Sequence, residues 1–133
     1  MMTIKTGEQG STFGGNPFAC AVGMESLKVL IEEGLPENAE KMGQLFRDGL
    51  EAIAQRNPLI QLVRGKGLLN AIVINSDEES KLAWNICLKM RDYGLLAKPT
   101  HGNKIRLAPP LVITAEQIEE SLAIIEKALS EFS

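Results

Sequence analysis

A chain of 133 residues, 44% hydrophobic and 23% charged, has the size and balance of one globular domain; that excludes a disordered tail and is short for a complete cofactor enzyme. No apolar run approaches the ~20 residues of a membrane span, and a net charge of −3 with scattered Lys and Arg leaves no basic stripe for nucleic acid. With one His and two widely separated Cys, a zinc centre has no ligand set.

Met1 to Glu8 shows neither the apolar core nor the Arg-rich amphipathic pattern of a targeting signal. Gly7 to Asn16 (GEQGSTFGGN) reads as a loop, and Asn16-Pro17 has the form of an N-cap followed by proline at the first helical position. The helix begun there carries Cys20, Met24, Leu27 and Ile31 at helical spacing, widened by Ala21, Val22 and Leu30, and ends at Gly34. A second helix is predicted over Pro36 to Gln55, burying Met42, Leu45, Phe46, Leu50 and Ile53 and turning its Glu, Lys, Arg and Asp residues outward.

Two Val- and Ile-rich strands follow, Leu59 to Val63 and Leu68 to Ile74, joined by Arg64-Gly65-Lys66-Gly67. Ser76 and Glu79 have capping-box spacing ahead of a helix with Leu82, Ile86 and Met90, which Gly94 ends. A second strand pair is predicted over Leu95 to Lys98 and Lys104 to Ala108, around Pro99 to Asn103. Thr114 and Gln117 form another capping box, opening a terminal helix striped by Ile118, Leu122, Ile125 and Leu129. The expected fold class is α+β, a small, mainly antiparallel sheet covered on one face by helices. Residues 1–34 and 35–133 are expected to behave as separate parts, because the first helix is apolar around too much of its circumference for one neighbour. Cys20 and Cys87, both within apolar helical patterns, are expected to be buried and reduced, as in the cytoplasm, and Trp84 and Phe46 to lie in the core.

Three places carry residues suited to chemistry. The stretch Gly10 to Pro17 (GSTFGGNP) combines hydroxyl donors, glycines and a helix start, the parts of an anion site, and equally the parts of a capped loop. Arg106 projects opposite Ile105 and Leu107, either to grip a carboxylate with two hydrogen bonds or to sit in solvent. His101 has no nearby partner for catalysis, and Arg64 to Gly67 suits a hairpin as well as a phosphate cradle. On these grounds alone, a freestanding binding or regulatory module remains open beside an enzyme.

The segments GSTFGGNP (Gly10 to Pro17), RGKGLL (Arg64 to Leu69) and IRLAPPL (Ile105 to Leu111), in this order and separation, resemble the C-terminal part of class III aminotransferases. LLNAIVI (Leu68 to Ile74) and GLLAKPTHG (Gly94 to Gly102) are similar to the ornithine-using branch of that family rather than the acetylornithine or aminobutyrate branches. The resemblance implies the C-terminal domain of a fold type I, pyridoxal 5′-phosphate-dependent homodimer. Such an enzyme moves an amino group from an amino acid to a 2-oxo acid. It also implies that Thr12, with Ser11 as a weaker neighbour, holds the cofactor phosphate of the partner subunit, and that Arg106 binds the substrate carboxylate. Residues 1–34 would pack on the large domain and the dimer partner, and 35–133 would be the small domain. The family's Schiff-base lysine belongs to a segment before Met1, so no catalytic residue is expected in this chain, which alone should be inactive. A mitochondrial presequence upstream would change the cytoplasmic expectation.

Overall fold

The computed structural model describes residues 3, 5 and 7–132; the reading of Met1 to Glu8 as free of a targeting pattern falls partly outside them. The chain divides into two compact units, Met1–Gly34 and Leu35–Ser133. In the first, helix α1 (Pro17–Glu32) is capped as its sequence demands: the Asn16 side chain accepts from the Ala19 N–H at 2.9 Å, and proline takes the first turn. None of its residues is buried, so Cys20, expected in a core, is exposed. Among the described residues no helix is long and apolar enough to cross a membrane.

The second unit runs α2 (Leu35–Arg56), β1 (Ile60–Lys66), β2 (Leu69–Ile74), α3 (Leu82–Asp92), β3 (Lys98–Thr100), β4 (Lys104–Leu107) and α4 (Ala115–Ser130). The strands form one antiparallel sheet in the order β1-β2-β4-β3. Helix α2 packs on β1 and β2, α3 packs on β3 and β4, and α4 lies against both helices. Met42, Phe46, Leu50 and Ile53 of α2, Ile72 and Ile74 of β2, Ile105 and Leu107 of β4, and Ile118, Ile125 and Leu129 of α4 form the core between them. Cys87 of α3 belongs to that core, and burial pushes its thiol up to about 11, so it stays protonated at neutral pH. The Thr114 and Gln117 capping box is formed in both directions.

Several boundaries differ from the sequence reading, each for a local reason. The first hairpin turns in two residues rather than four. β1 continues through Arg64, Gly65 and Lys66, and Gly67, at φ +52°, supplies the left-handed conformation that so short a turn needs. β3 begins at Lys98, not Leu95, because the Leu95 N–H closes the end of α3 on the Met90 carbonyl at 2.9 Å. The Ser76 and Glu79 box does not form. Ser76 is tied to the sheet end, its N–H on Ile74 and its carbonyl accepting from Asn103, and α3 starts at Leu82, whose N–H bonds the Ser80 hydroxyl at 3.1 Å. Trp84 is exposed on α3 instead of lying in the core.

The largest departure is Arg47, expected to face water on α2 and in fact buried. Its Nη1 donates to the Gly67 carbonyl at 2.8 Å and to Asn70 Oδ1 at 2.9 Å, and its Nη2 donates to Gln44 Oε1 at 3.0 Å. Asn70, also buried, returns a bond from Nδ2 to the same Gly67 carbonyl at 3.3 Å. Two glycines make room for this. A Cβ on Gly43 would stand 1.8 Å from the Gly67 carbonyl oxygen, and one on Gly65 would stand 2.1 Å from Asn70 Oδ1. Gly43→Ala should therefore push the hairpin off α2 and lower stability by about 1–3 kcal/mol, the usual range for overpacking. Urea unfolding followed by the single tryptophan, Trp84, measures this; an unchanged midpoint would mean the contact is not tight.

Candidate functional site

The register of the sheet decides which side chains meet on its helix-free face. Arg64 of β1 pairs with Ala71 of β2, Ala71 pairs with Arg106 of β4, and Arg106 pairs with Lys98 of β3. These four positions form one rung across all the strands, and Arg64, Lys98 and Arg106 are exposed. Because side chains alternate along a strand, the neighbours of Arg106, Ile105 and Leu107, point the other way and are buried. The same parity puts Lys66, Lys104, Leu69 and Thr100 on the open face.

Every charge contributed by strand residues to that face is positive. Two of the cations are neutralised from outside the sheet. Lys66 bonds Glu40 of α2 at 3.0 Å and Lys104 bonds Glu78, and these bonds hold both carboxyls below their usual range. Among the described residues, Arg64, Lys98 and Arg106 make no side-chain hydrogen bond or ion pair. Between the two arginines Ala71 offers only a methyl group, and a shallow cavity of about 380 Å³ lies over it, whose lining includes Arg64, Lys66, Leu69, Ala71, Thr100 and Arg106. Such an arrangement is suited to anions: the guanidiniums are planar, permanently charged and have donors open for paired hydrogen bonds to carboxylates.

Ser11 and Thr12 belong to the first unit. The Ser11 hydroxyl accepts from the Gly14 N–H at 2.9 Å, and a Cβ on Gly14 would approach Ser11 Cβ to 2.9 Å, so serine and glycine lock the loop together. The Thr12 hydroxyl is exposed and has no partner among the described residues. It is available to donate to a phosphate oxygen, while Ser11 is already engaged in shaping the loop. This donor set fits one edge of a phosphate group and offers nothing to a cofactor ring.

His101 sits in the β3–β4 turn with φ +47°, exposed and clear of the arginine rung. Among the described residues no cluster of His, Cys, Asp or Glu suits a metal ion. Sequence reasoning singled out Arg106 but placed Arg64 in a turn and passed over Lys98. Counting outward from the two turns would have found both. Arg64 and Ala71 are equidistant from the Gly67-Leu68 turn, and Lys98 and Arg106 are equidistant from Gly102.

A model of the family described as aminotransferase class-III matches residues 1–129. Ornithine aminotransferase of Emericella nidulans is 59% identical over 132 residues, covering 98% of this chain and 29% of that protein. The protein named mitochondrial ornithine aminotransferase in Rattus norvegicus is 54% identical over 132 residues, covering 99% of this chain and 29% of its own length. Among solved structures, acetylornithine aminotransferase from Elizabethkingia anophelis superposes with a TM-score of 0.90 at 60% identity, over 97% of this chain and 34% of that one. Plasmodium falciparum ornithine delta-aminotransferase gives a TM-score of 0.88 at 45% identity, over 99% of this chain and 34% of that one. The chain thus spans about a third or less of the length of these relatives.

An exposed cation that serves a ligand contributes little to the fold. Arg106→Gln should leave the stability of the chain, measured by urea unfolding, within about 0.5 kcal/mol of the original, or raise it slightly by relieving repulsion from Lys98. A loss well beyond that would make Arg106 a structural residue.

Proposed function

The chain belongs to the class III aminotransferases, and from that premise we propose that it is the C-terminal part of a pyridoxal 5′-phosphate-dependent ornithine aminotransferase. The whole enzyme would take ornithine and a 2-oxo acid to glutamate 5-semialdehyde and an amino acid. The observation that carries this reading is Arg106, exposed and, among the described residues, without a partner in the middle of a sheet face to which the strands contribute no acid, within the IRLAPPL segment. Names among the relatives support ornithine as the amino donor. An acetylornithine aminotransferase at 60% identity favours a second reading in which the donor is N-acetylated.

In this proposal Arg106 holds the carboxylate of the bound amino or oxo acid by a two-pronged, charge-assisted contact. The rigid strand fixes its direction, and Ala108-Pro109-Pro110 stiffens the exit of β4. The Thr12 hydroxyl donates to the cofactor phosphate across the interface of a homodimer, and Ser11 keeps that loop in shape through Gly14. The cofactor, when bound, supplies the electron sink that lets the amino group change carriers. Within the chain, the described residues bind and orient; none of its lysines lies in the family's catalytic context.

Assaying the full-length enzyme with ornithine and N-acetylornithine as donors separates the two readings. A kcat/KM favouring ornithine is expected, and a preference for the acetylated donor would install the second reading. The 133-residue chain by itself, given pyridoxal phosphate, ornithine and 2-oxoglutarate, should show no turnover. In the enzyme, Arg106→Ala should lower kcat/KM about 10- to 100-fold, the worth of a hydrogen bond to a charged group, while cofactor retention is unchanged. Thr12→Ala should do the reverse first, weakening cofactor retention in an equilibrium dialysis measurement; retention equal to the original would remove Thr12 from the site.

A further inference from the structure

Three polar side chains are buried among the described residues, Arg47, Asn70 and Asn103, and all of them secure β2 and β4, the strands of the Ala71–Arg106 pair. Asn103 holds the start of β4: its Nδ2 donates to the Ile74 and Ser76 carbonyls at 3.0 and 2.9 Å, and its carbonyl accepts from the Ile74 N–H at 2.8 Å. Asn70 stands at the other end. It pairs with Leu107, the last residue of β4, and the next pair inward is Ala71 with Arg106. Beyond Leu107 the chain runs Ala108-Pro109-Pro110, and the two prolines have no N–H with which to continue a ladder. Arg106 is therefore one residue from a strand end, where pairing opens most easily.

We infer that Arg47 is a positioning residue for Arg106, acting through Asn70. The inference rests on the reading of Arg106 as the residue that holds the substrate carboxylate. Arg47 lies on the helix-covered side of the sheet, so it does not meet a ligand on the open face. Its guanidinium donates to Asn70 Oδ1 at 2.9 Å and to the Gly67 carbonyl at 2.8 Å, and Asn70 Nδ2 closes the triangle on Gly67 at 3.3 Å. Directed bonds thus tie the last rung of the β2–β4 ladder to α2. An apolar side chain at position 70 would fill the same space but would be free to rotate and shift, leaving that rung held by packing alone. A buried cation bonded to no carboxylate is costly. Filling the core gives no reason to bear that cost; fixing the end of the strand that aims Arg106 does. Glu40, the acid whose ionisation Arg47 favours, is exposed and already bonded to Lys66, so the bonds of Arg47 all go to neutral oxygens.

In the full-length enzyme, Arg47→Met should raise the KM for the amino and oxo acids about 3- to 10-fold while kcat and cofactor retention stay within about 2-fold, the mark of lost binding rather than lost chemistry. Arg47→Lys keeps the charge but has one nitrogen in place of a fork, so its KM should fall between those of the original and Arg47→Met. That milder variant keeps the test decisive should Arg47→Met fail to fold. Ile53→Ala removes a core side chain from the same helix, and should cost stability while leaving KM in place. In an Arg106→Gln background, Arg47→Met should raise KM no further, because a residue that works through Arg106 has nothing left to position. Effects that multiply in the double variant, or an equal rise of KM in Ile53→Ala, would make Arg47 a structural residue and overturn the inference. A second readout needs no activity: hydrogen exchange in the 133-residue chain. In Arg47→Met the amides of the Asn70–Leu107 and Ala71–Arg106 pairs should exchange at least about 10-fold faster, while those at the Ile60–Ile74 end of the sheet hold. No acceleration, or a uniform one, would likewise overturn it. Should Arg106→Gln alone leave KM unchanged, the carboxylate reading of Arg106 fails, and exchange still decides whether Arg47 fixes this end of the strand.

Discussion

A guanidinium can be buried without a carboxylate beside it only where oxygen atoms replace its water, since a buried charge left bare is among the costliest things a fold can contain. Arg47 meets that condition through three oxygens, two of them belonging to the first hairpin. The bond to Gly67 draws the turn against α2, and the bond to Asn70 fixes which face of β2 turns inward. Side-chain direction in a strand has a period of two, so fixing Asn70 fixes Ala71 outward, and the ladder then carries the choice to Arg64 on one side and Arg106 on the other. A slip of one residue would bury the cations and expose Ile72 and Ile105. The charged rung therefore depends on a helix residue that does not touch it.

Elements with a strong period are legible in the amino-acid pattern: the stripe of α2 except for Leu45, which is exposed, the capping box of α4, the alternation of β4 and the Asn16 cap of α1 are where that pattern puts them. What the pattern conceals involves tertiary partners. Arg47 looks like any surface arginine on a helical wheel, because the oxygens that receive it from the hairpin come from residues 20 and 23 positions later. Gly43, Gly65 and Gly67 look like three weak spots, and become necessary only when α2 and the hairpin are brought together. Trp84 has the opposite fate: α3 buries Ala83, Ile86, Cys87 and Met90, a stripe that leaves the indole on the outside. Of the candidate site, Arg106 is legible from alternation alone, while Arg64 and Lys98 need the register.

The distribution of charge qualifies the bulk composition in the same way. A net charge of −3 describes a chain whose acids sit largely on helices and loops, leaving the helix-free face of the sheet to Lys and Arg. Net charge is thus a poor guide to what such a surface attracts at close range; local sign, with Glu40 and Glu78 neutralising two cations and sparing three, is the better one.

The two margins of the sheet also determine how this unit can meet other chains. β3 is three residues long with Pro99 at its centre, so the ladder ends on a strand whose middle position has no N–H to offer. At the opposite margin β1 carries an irregularity between Ile60 and Leu62 and then Arg64 and Lys66, features that spoil the straight, uncharged edge an incoming strand would need. Edge-to-edge growth, the route by which small exposed sheets aggregate, is blocked at both ends. Recognition of this unit by another chain then depends on side chains rather than on backbone hydrogen bonds that any sequence could supply.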